Sequence, residues 1–71
     1  MTAGGRTRAS FSVVLPNWEG EAWIERALSS MQLAARASGR EAEIVVVDDA
    51  STDRSPEMIA VGFPRVRLLR N

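Results

Sequence analysis

Two adjacent carboxylates, Asp48 and Asp49, stand at the end of the apolar run Ile44 to Val47, and Ser51, Thr52 and Asp53 follow them closely. A carboxylate in such a place accepts from a ribose hydroxyl or a base N–H, joins the ligands of a hard cation, or braces its own loop. Successive strand side chains point to opposite faces, so while the strand continues one acid at most aims at a given ligand, and the other is left to brace. Nucleotide binding and Asx-type loop capping are equally open on these residues alone. A cation is less well served, because it wants several oxygen ligands and this loop offers few others. Ser51 and Thr52 have no histidine or lysine to activate them, which argues against a nucleophile. Ala50, two residues after Asp48, breaks the Asp-x-Asp-x-Thr pattern of a phosphoaspartyl loop.

The second stretch with chemical content is LPNWEGE, residues 15–21. Trp18 falls just past a predicted strand, where an exposed indole can stack on a flat ring; such stacking contributes about 1–3 kcal/mol. The alternative is that Trp18 caps the local core. Glu21 can bond a ribose hydroxyl or favour a helix N-terminus. Neither Gly-x-Gly-x-x-Gly nor Gly-x-x-x-x-Gly-Lys occurs, so the dinucleotide fingerprint and the P-loop are both missing.

Composition limits the remaining possibilities. The 71 residues contain no cysteine and no histidine, which removes disulfides, thiolates and the commonest general base. Nine basic residues, all arginine, balance nine acidic ones, so there is no electrostatic footprint for nucleic acid or a membrane surface. No stretch approaches the ~20 apolar residues of a spanning helix. The expectation is a soluble, cytoplasmic segment without a membrane span, led by a flexible stretch over 1–10.

The elements that must position these residues follow from periodicity. FSVVLP predicts a first strand over 11–16, ended by Pro16. Ile24, Ala27, Leu28, Met31, Ala34 and Ala35 repeat at three and four residues and predict a helix over 21–38, stopped by Gly39. The unalternating run predicts a second strand over 43–47, of the kind covered by helices on both faces of a parallel sheet. Ser55, as a hydroxyl cap, and Pro56 predict a short helix over 56–61. RVRLL predicts a third strand over 65–69 with Val66 and Leu68 on one face. Strand, helix, strand, helix, strand implies right-handed crossovers, a parallel sheet, and one half of a mononucleotide-binding domain.

FSVVLPNWEGEAWIERALSSM, EIVVVDDASTDRSPEMI and VRLLRN together resemble the beginning of a family 2 glycosyltransferase of the inverting GT-A type, over residues 11–71. The resemblance implies an α/β fold: the Rossmann-like β-α-β-α-β half of a GT-A domain, a parallel sheet with flanking helices, incomplete within this chain. The family's Pro-x-Tyr-Asn-x-Glu becomes Pro16, Asn17, Trp18, Glu19, Gly20, Glu21. By this likeness Pro16 lines the base pocket, Trp18 takes the place of the stacking tyrosine, and Glu21 matches the acid near the nucleoside. Glu19 in place of asparagine puts that loop's usual hydrogen bonds in question. Val-Asp-Asp-x-Ser-x-Asp is matched from Val47 to Asp53, and the likeness implies that Asp49 contacts the base, commonly uracil, while Asp48 supports the loop and Ser51 belongs to the same nucleotide-binding loop.

The resemblance further implies a nucleotide-sugar donor, most simply a UDP-sugar, and transfer of its sugar to an acceptor hydroxyl. Mg²⁺ or Mn²⁺ is implied for the full-length enzyme, held by a later Asp-x-Asp, with a further acid as general base. Neither motif lies in these residues, so the fragment itself is expected to be inactive, with no catalytic residue and no metal ligand assigned in it. Residues 11–71 are expected to be the N-terminal portion of the domain. Other readings are a nucleotidyltransferase-like enzyme and a non-catalytic α/β nucleotide-binding or interaction module.

Overall fold

The computed structural model describes residues 11–71; the leader expected over 1–10 lies outside the described residues. Five elements follow in the expected order: β1 Phe11–Asn17, α1 Ile24–Ser38, β2 Ala42–Asp48, α2 Ser55–Gly62 and β3 Arg67–Arg70. The strands form one parallel sheet in the order β1-β2-β3. This is the Rossmann-like β-α-β-α-β arrangement that the resemblance implies.

Register explains what each strand contributes. Val13 lies opposite Ile44, Leu15 opposite Val46, and Asn17 opposite Asp48. Alternation turns all six toward the helices. The core under α1 and α2 is Ile24, Leu28, Ile44, Val46, Ile59, Phe63 and Val66, with Leu15, Met31, Met58 and Leu68 packed around it. Both helices lie on this one face. The expectation of helices on both faces is therefore corrected for the described residues: Val14 and Leu69 on the other face are largely exposed. An unalternating apolar strand marks two apolar faces, but it does not say which segment covers each of them.

The element ends moved for local reasons. Pro16 does not end β1: Asn17 still pairs with Asp48, because proline forfeits one N–H and not the whole ladder. α1 starts at Ile24 rather than residue 21. Gly20 O accepts from Trp23 N–H and Ile24 N–H at 2.9 and 2.8 Å, while Glu21 N–H is drawn away to Asp53. Gly39, at φ 73°, ends α1 in the left-handed conformation with its N–H on Arg36 O. Ser55 is not the cap of α2 but its first residue; Asp53 Oδ1 accepts Ser55 N–H at 2.9 Å and supplies the capping bond instead. β3 begins at Arg67, and Val66 before it is buried as its phase requires.

Leu28 and Leu33 share α1, but the first is wholly buried and the second is 65% exposed. Leu28→Ala is expected to lower stability by about 2–5 kcal/mol and Leu33→Ala by about 0.5 kcal/mol or less. Denaturant unfolding followed by circular dichroism checks both, and equal losses would contradict this packing.

Candidate functional site at the carboxyl edge of the sheet

The carboxyl ends of β1 and β2 and the two loops that follow bring together every residue singled out in the sequence. Asp48 has no exposed surface. A carboxylate can remain there only if its oxygens are supplied with donors. Asn17 Nδ2 donates to Oδ1 at 2.7 Å, Ser51 Oγ donates to Oδ1 at 2.6 Å, and Ser51 N–H donates to Oδ2 at 3.0 Å. Arg70 adds a positive charge, its Nε 3.5 Å from Oδ2. Burial pushes the Asp48 carboxyl up, yet the Ser51 hydroxyl and N–H, Asn17 and Arg70 together hold it below its ordinary 3.8.

Asn17 is the hub of this arrangement. Its second Nδ2 hydrogen goes to Ser55 Oγ at 2.9 Å, with Ser51 Oγ at the limit of reach at 3.4 Å. A carboxylate cannot donate, so Asp48 fixes which end of the Asn17 amide faces it. The amide oxygen Oδ1 is buried without a hydrogen-bond partner and points at Gly20. A Cβ on Gly20 would lie 2.0 Å from that oxygen and 3.0 Å from the Trp23 ring, so this position excludes a side chain through close approach.

The loops are tied by further acids. Glu19 N–H donates to Ser51 Oγ at 2.8 Å, and Glu19 Oε2 accepts from Thr52 Oγ1 at 3.0 Å and from Thr52 N–H. Glu19 thus makes cross-loop bonds of its own, at a left-handed φ of 52°. Glu21 Oε1 accepts Arg54 N–H at 3.1 Å, so it serves a helix N-terminus as one reading held, but that of α2 rather than α1. Asp53 accepts from Glu21 N–H, Ser55 N–H and Ser55 Oγ. Burial raises the Asp53 carboxyl and the Asp48 charge adds to that, but the Ser55 hydroxyl and N–H with Glu21 N–H hold it below the ordinary 3.8.

What remains facing solvent is short. Asp49 N–H donates to Asn17 O at 2.9 Å, which carries the ladder one step on and turns the Asp49 side chain away from Asp48. Asp49 is exposed, and Asn71 Nδ2 sits 3.5 Å from its Oδ1. Trp18 is 67% exposed, so it does not cap the core. Pro16 is exposed as well. Of the six residues expected to bind a nucleotide, Pro16, Trp18 and Asp49 face outward, whereas the functional atoms of Asp48 and Ser51 are consumed internally and Glu21 spends an oxygen on Arg54. Asn17, Ser55, Glu19 and Arg70 were not singled out as site residues by the sequence reading. Counting inward positions Val13, Leu15 and Ile44, Val46 two further would have placed Asn17 and Asp48 together.

Among the described residues no group of three or more acids could hold a metal ion. The donor set does not fit one, since Asp48 and Asp53 already accept on both oxygens. A surface groove of about 660 Å³ lies at the opposite end of the sheet among Arg36, Ala42, Phe63 and Arg65, and includes none of the candidate residues.

A parallel sheet whose crossover helices leave two acid-rich loops at its carboxyl edge places the chain among open α/β proteins that take ligands at that edge. The chain belongs to Glycosyl transferase family 2, whose sequence model matches residues 12–71. It is similar to the undecaprenyl-phosphate 4-deoxy-4-formamido-L-arabinose transferase of Pseudomonas paraeruginosa, strain DSM 24068 / PA7, with 43% identity over 54 residues. It is also similar to the enzyme of that name from Pseudomonas aeruginosa, strain LESB58, with 41% identity over 54 residues. Each match covers 76% of this chain and 16% of the relative, so the chain spans about a sixth of the length of the curated relatives it matches.

Two outcomes test this geometry. Gly20→Ala is expected to cost about 1–3 kcal/mol, whereas Gly62→Ala, with open space around it, is expected to be neutral or slightly stabilising; urea midpoints distinguish them. Because Asp48 and Asp53 titrate below their ordinary 3.8 when folded, the stability they give is present above that value and is lost as the pH falls through their folded values. Melting temperature should hold down to about pH 5 and drop below about pH 4, with a shallower drop in Asp53→Asn; a melting temperature that rises on acidification would contradict the assignment.

Proposed function

We propose that the carboxyl edge of this sheet binds the nucleotide of a nucleotide-diphosphate-sugar, and that the protein is a glycosyltransferase using it as donor. The observation that carries the reading is the division of labour between neighbouring acids. Asp48 is sealed among donors, while Asp49, one residue on, is exposed, and so is the Trp18 indole, which follows the Asn17 carbonyl that accepts Asp49 N–H. Trp18 offers a stacking face and Asp49 an acceptor for a base N–H, the pair of contacts that recognises a flat heterocycle. Uracil suits it, since its ring N–H donates to a carboxylate. Pro16 adds an apolar edge, and Asp48, Ser51 and Glu21 hold the loops.

In the reaction so read, an acceptor oxygen attacks the anomeric carbon from the side opposite the diphosphate. The bond to the diphosphate oxygen breaks, the nucleoside diphosphate leaves, and the configuration inverts. The names of the matched relatives favour a lipid-linked phosphate as acceptor, in place of the hydroxyl expected from the resemblance. No described helix is long and apolar enough to cross a membrane, and a lipid acceptor would place the protein's work at a membrane face. The Mg²⁺ or Mn²⁺ implied by the resemblance finds no fitting donor set among the described residues 11–71. Family membership gives no support to the nucleotidyltransferase alternative.

Asp49→Ala is expected to weaken UDP binding by about tenfold or more, equal to about 1.4 kcal/mol, with the melting temperature within a few degrees of the unchanged protein because Asp49 is exposed. Isothermal titration with UDP checks this, and unchanged affinity in Asp49→Ala would remove Asp49 from the site.

A further inference from the structure

Glu19 occupies a strained place for a reason the nucleotide contacts do not supply. Its backbone is left-handed at φ 52°, a conformation that a residue with a long side chain keeps only where its surroundings determine it. Three bonds do so: its N–H to Ser51 Oγ, and Thr52 Oγ1 and N–H to its Oε2. All three cross from the loop after β1 to the loop after β2. Trp18, two-thirds exposed, has little packing to orient its indole, so its position is inherited from the residues on either side. On one side Asn17 is locked to Asp48 and its carbonyl accepts Asp49 N–H. On the other side the lock is Glu19.

We infer that Glu19 is a positioning residue for the nucleotide: by latching Thr52 it holds Trp18 and Asp49 in one arrangement before the nucleotide arrives. The inference rests on the donor-site reading above. A latched pair loses less freedom on binding than a loose one, and that saving appears as affinity. The carboxylate does this without touching the ligand.

The test is calorimetric titration of UDP into the intact protein and into Glu19→Ala, Glu19→Gln and Thr52→Val, at a temperature where circular dichroism finds all four folded. Glu19→Ala is expected to raise Kd about tenfold. Glu19→Gln, whose carbonyl oxygen can still accept both Thr52 bonds, is expected to come back to within about threefold. Thr52→Val keeps the N–H and loses the hydroxyl, so it should fall between. A Kd unchanged or improved in Glu19→Ala overturns the inference even if its melting temperature falls, because that is what a purely structural residue would give. Glu19→Gln as weak as Glu19→Ala overturns it too, since charge and not the latch would then matter. If UDP binds none of the four, the donor-site reading fails and takes this inference with it; if UDP binds all four equally, the latch alone fails.

Discussion

The charge of Asp48 is the constraint around which the carboxyl edge is arranged. Four apolar residues carry it into a place with no solvent, and an ion there is tolerated only when its oxygens are hydrogen-bonded and a countercharge is near. Asn17, Ser51 and Arg70 provide these from β1, from the loop after β2, and from β3. Removing any one of them leaves a buried carboxylate short of partners, which costs more than the lost bond is worth. Three separate segments are thereby committed to one geometry, and the loops that grow from them inherit it.

From that commitment the rest of the edge follows. Asn17 spends both amide hydrogens on Asp48 and Ser55, so it has none left to donate to a ligand. Its oxygen is driven against Gly20, which is why a residue without a side chain stands there. Ser51 passes the arrangement on to Glu19, and Asp53 passes it to Glu21 and the start of α2. Strand alternation then leaves Asp49 facing outward, with Trp18 similarly exposed. An inert acid next to an available one is thus a consequence of period two, not of any difference between the two side chains.

The order of elements was legible because Ile24, Leu28 and Met31 keep a helical spacing and Ile44 to Val47 keep none. Element ends were less legible, and at the starts of both helices the reason was a bond to a side chain outside the helix. Glu21 N–H is held by Asp53 in the turn that precedes α1, and Ser55 Oγ donates to Asp53 and accepts from Asn17 rather than capping α2. Asp53 lies 32 residues from Glu21 and Asn17 lies 38 from Ser55, and a pattern read over a dozen residues contains neither pair. The uncovered face of the sheet was hidden for a related reason, since Val14, Val45 and Val47 look the same whether a helix covers them or not. Trp18 could be read either way from sequence; its exposure decides against the core.

The most direct measurement is a crystal structure of the intact protein with UDP bound. The account predicts the base against the Trp18 indole with its N–H on the Asp49 carboxylate, and the Asn17–Asp48–Ser51 bonds unchanged from those described here. A nucleotide held by Asp48 with Asp49 left free, or seated instead in the groove between Arg36 and Arg65, would contradict it.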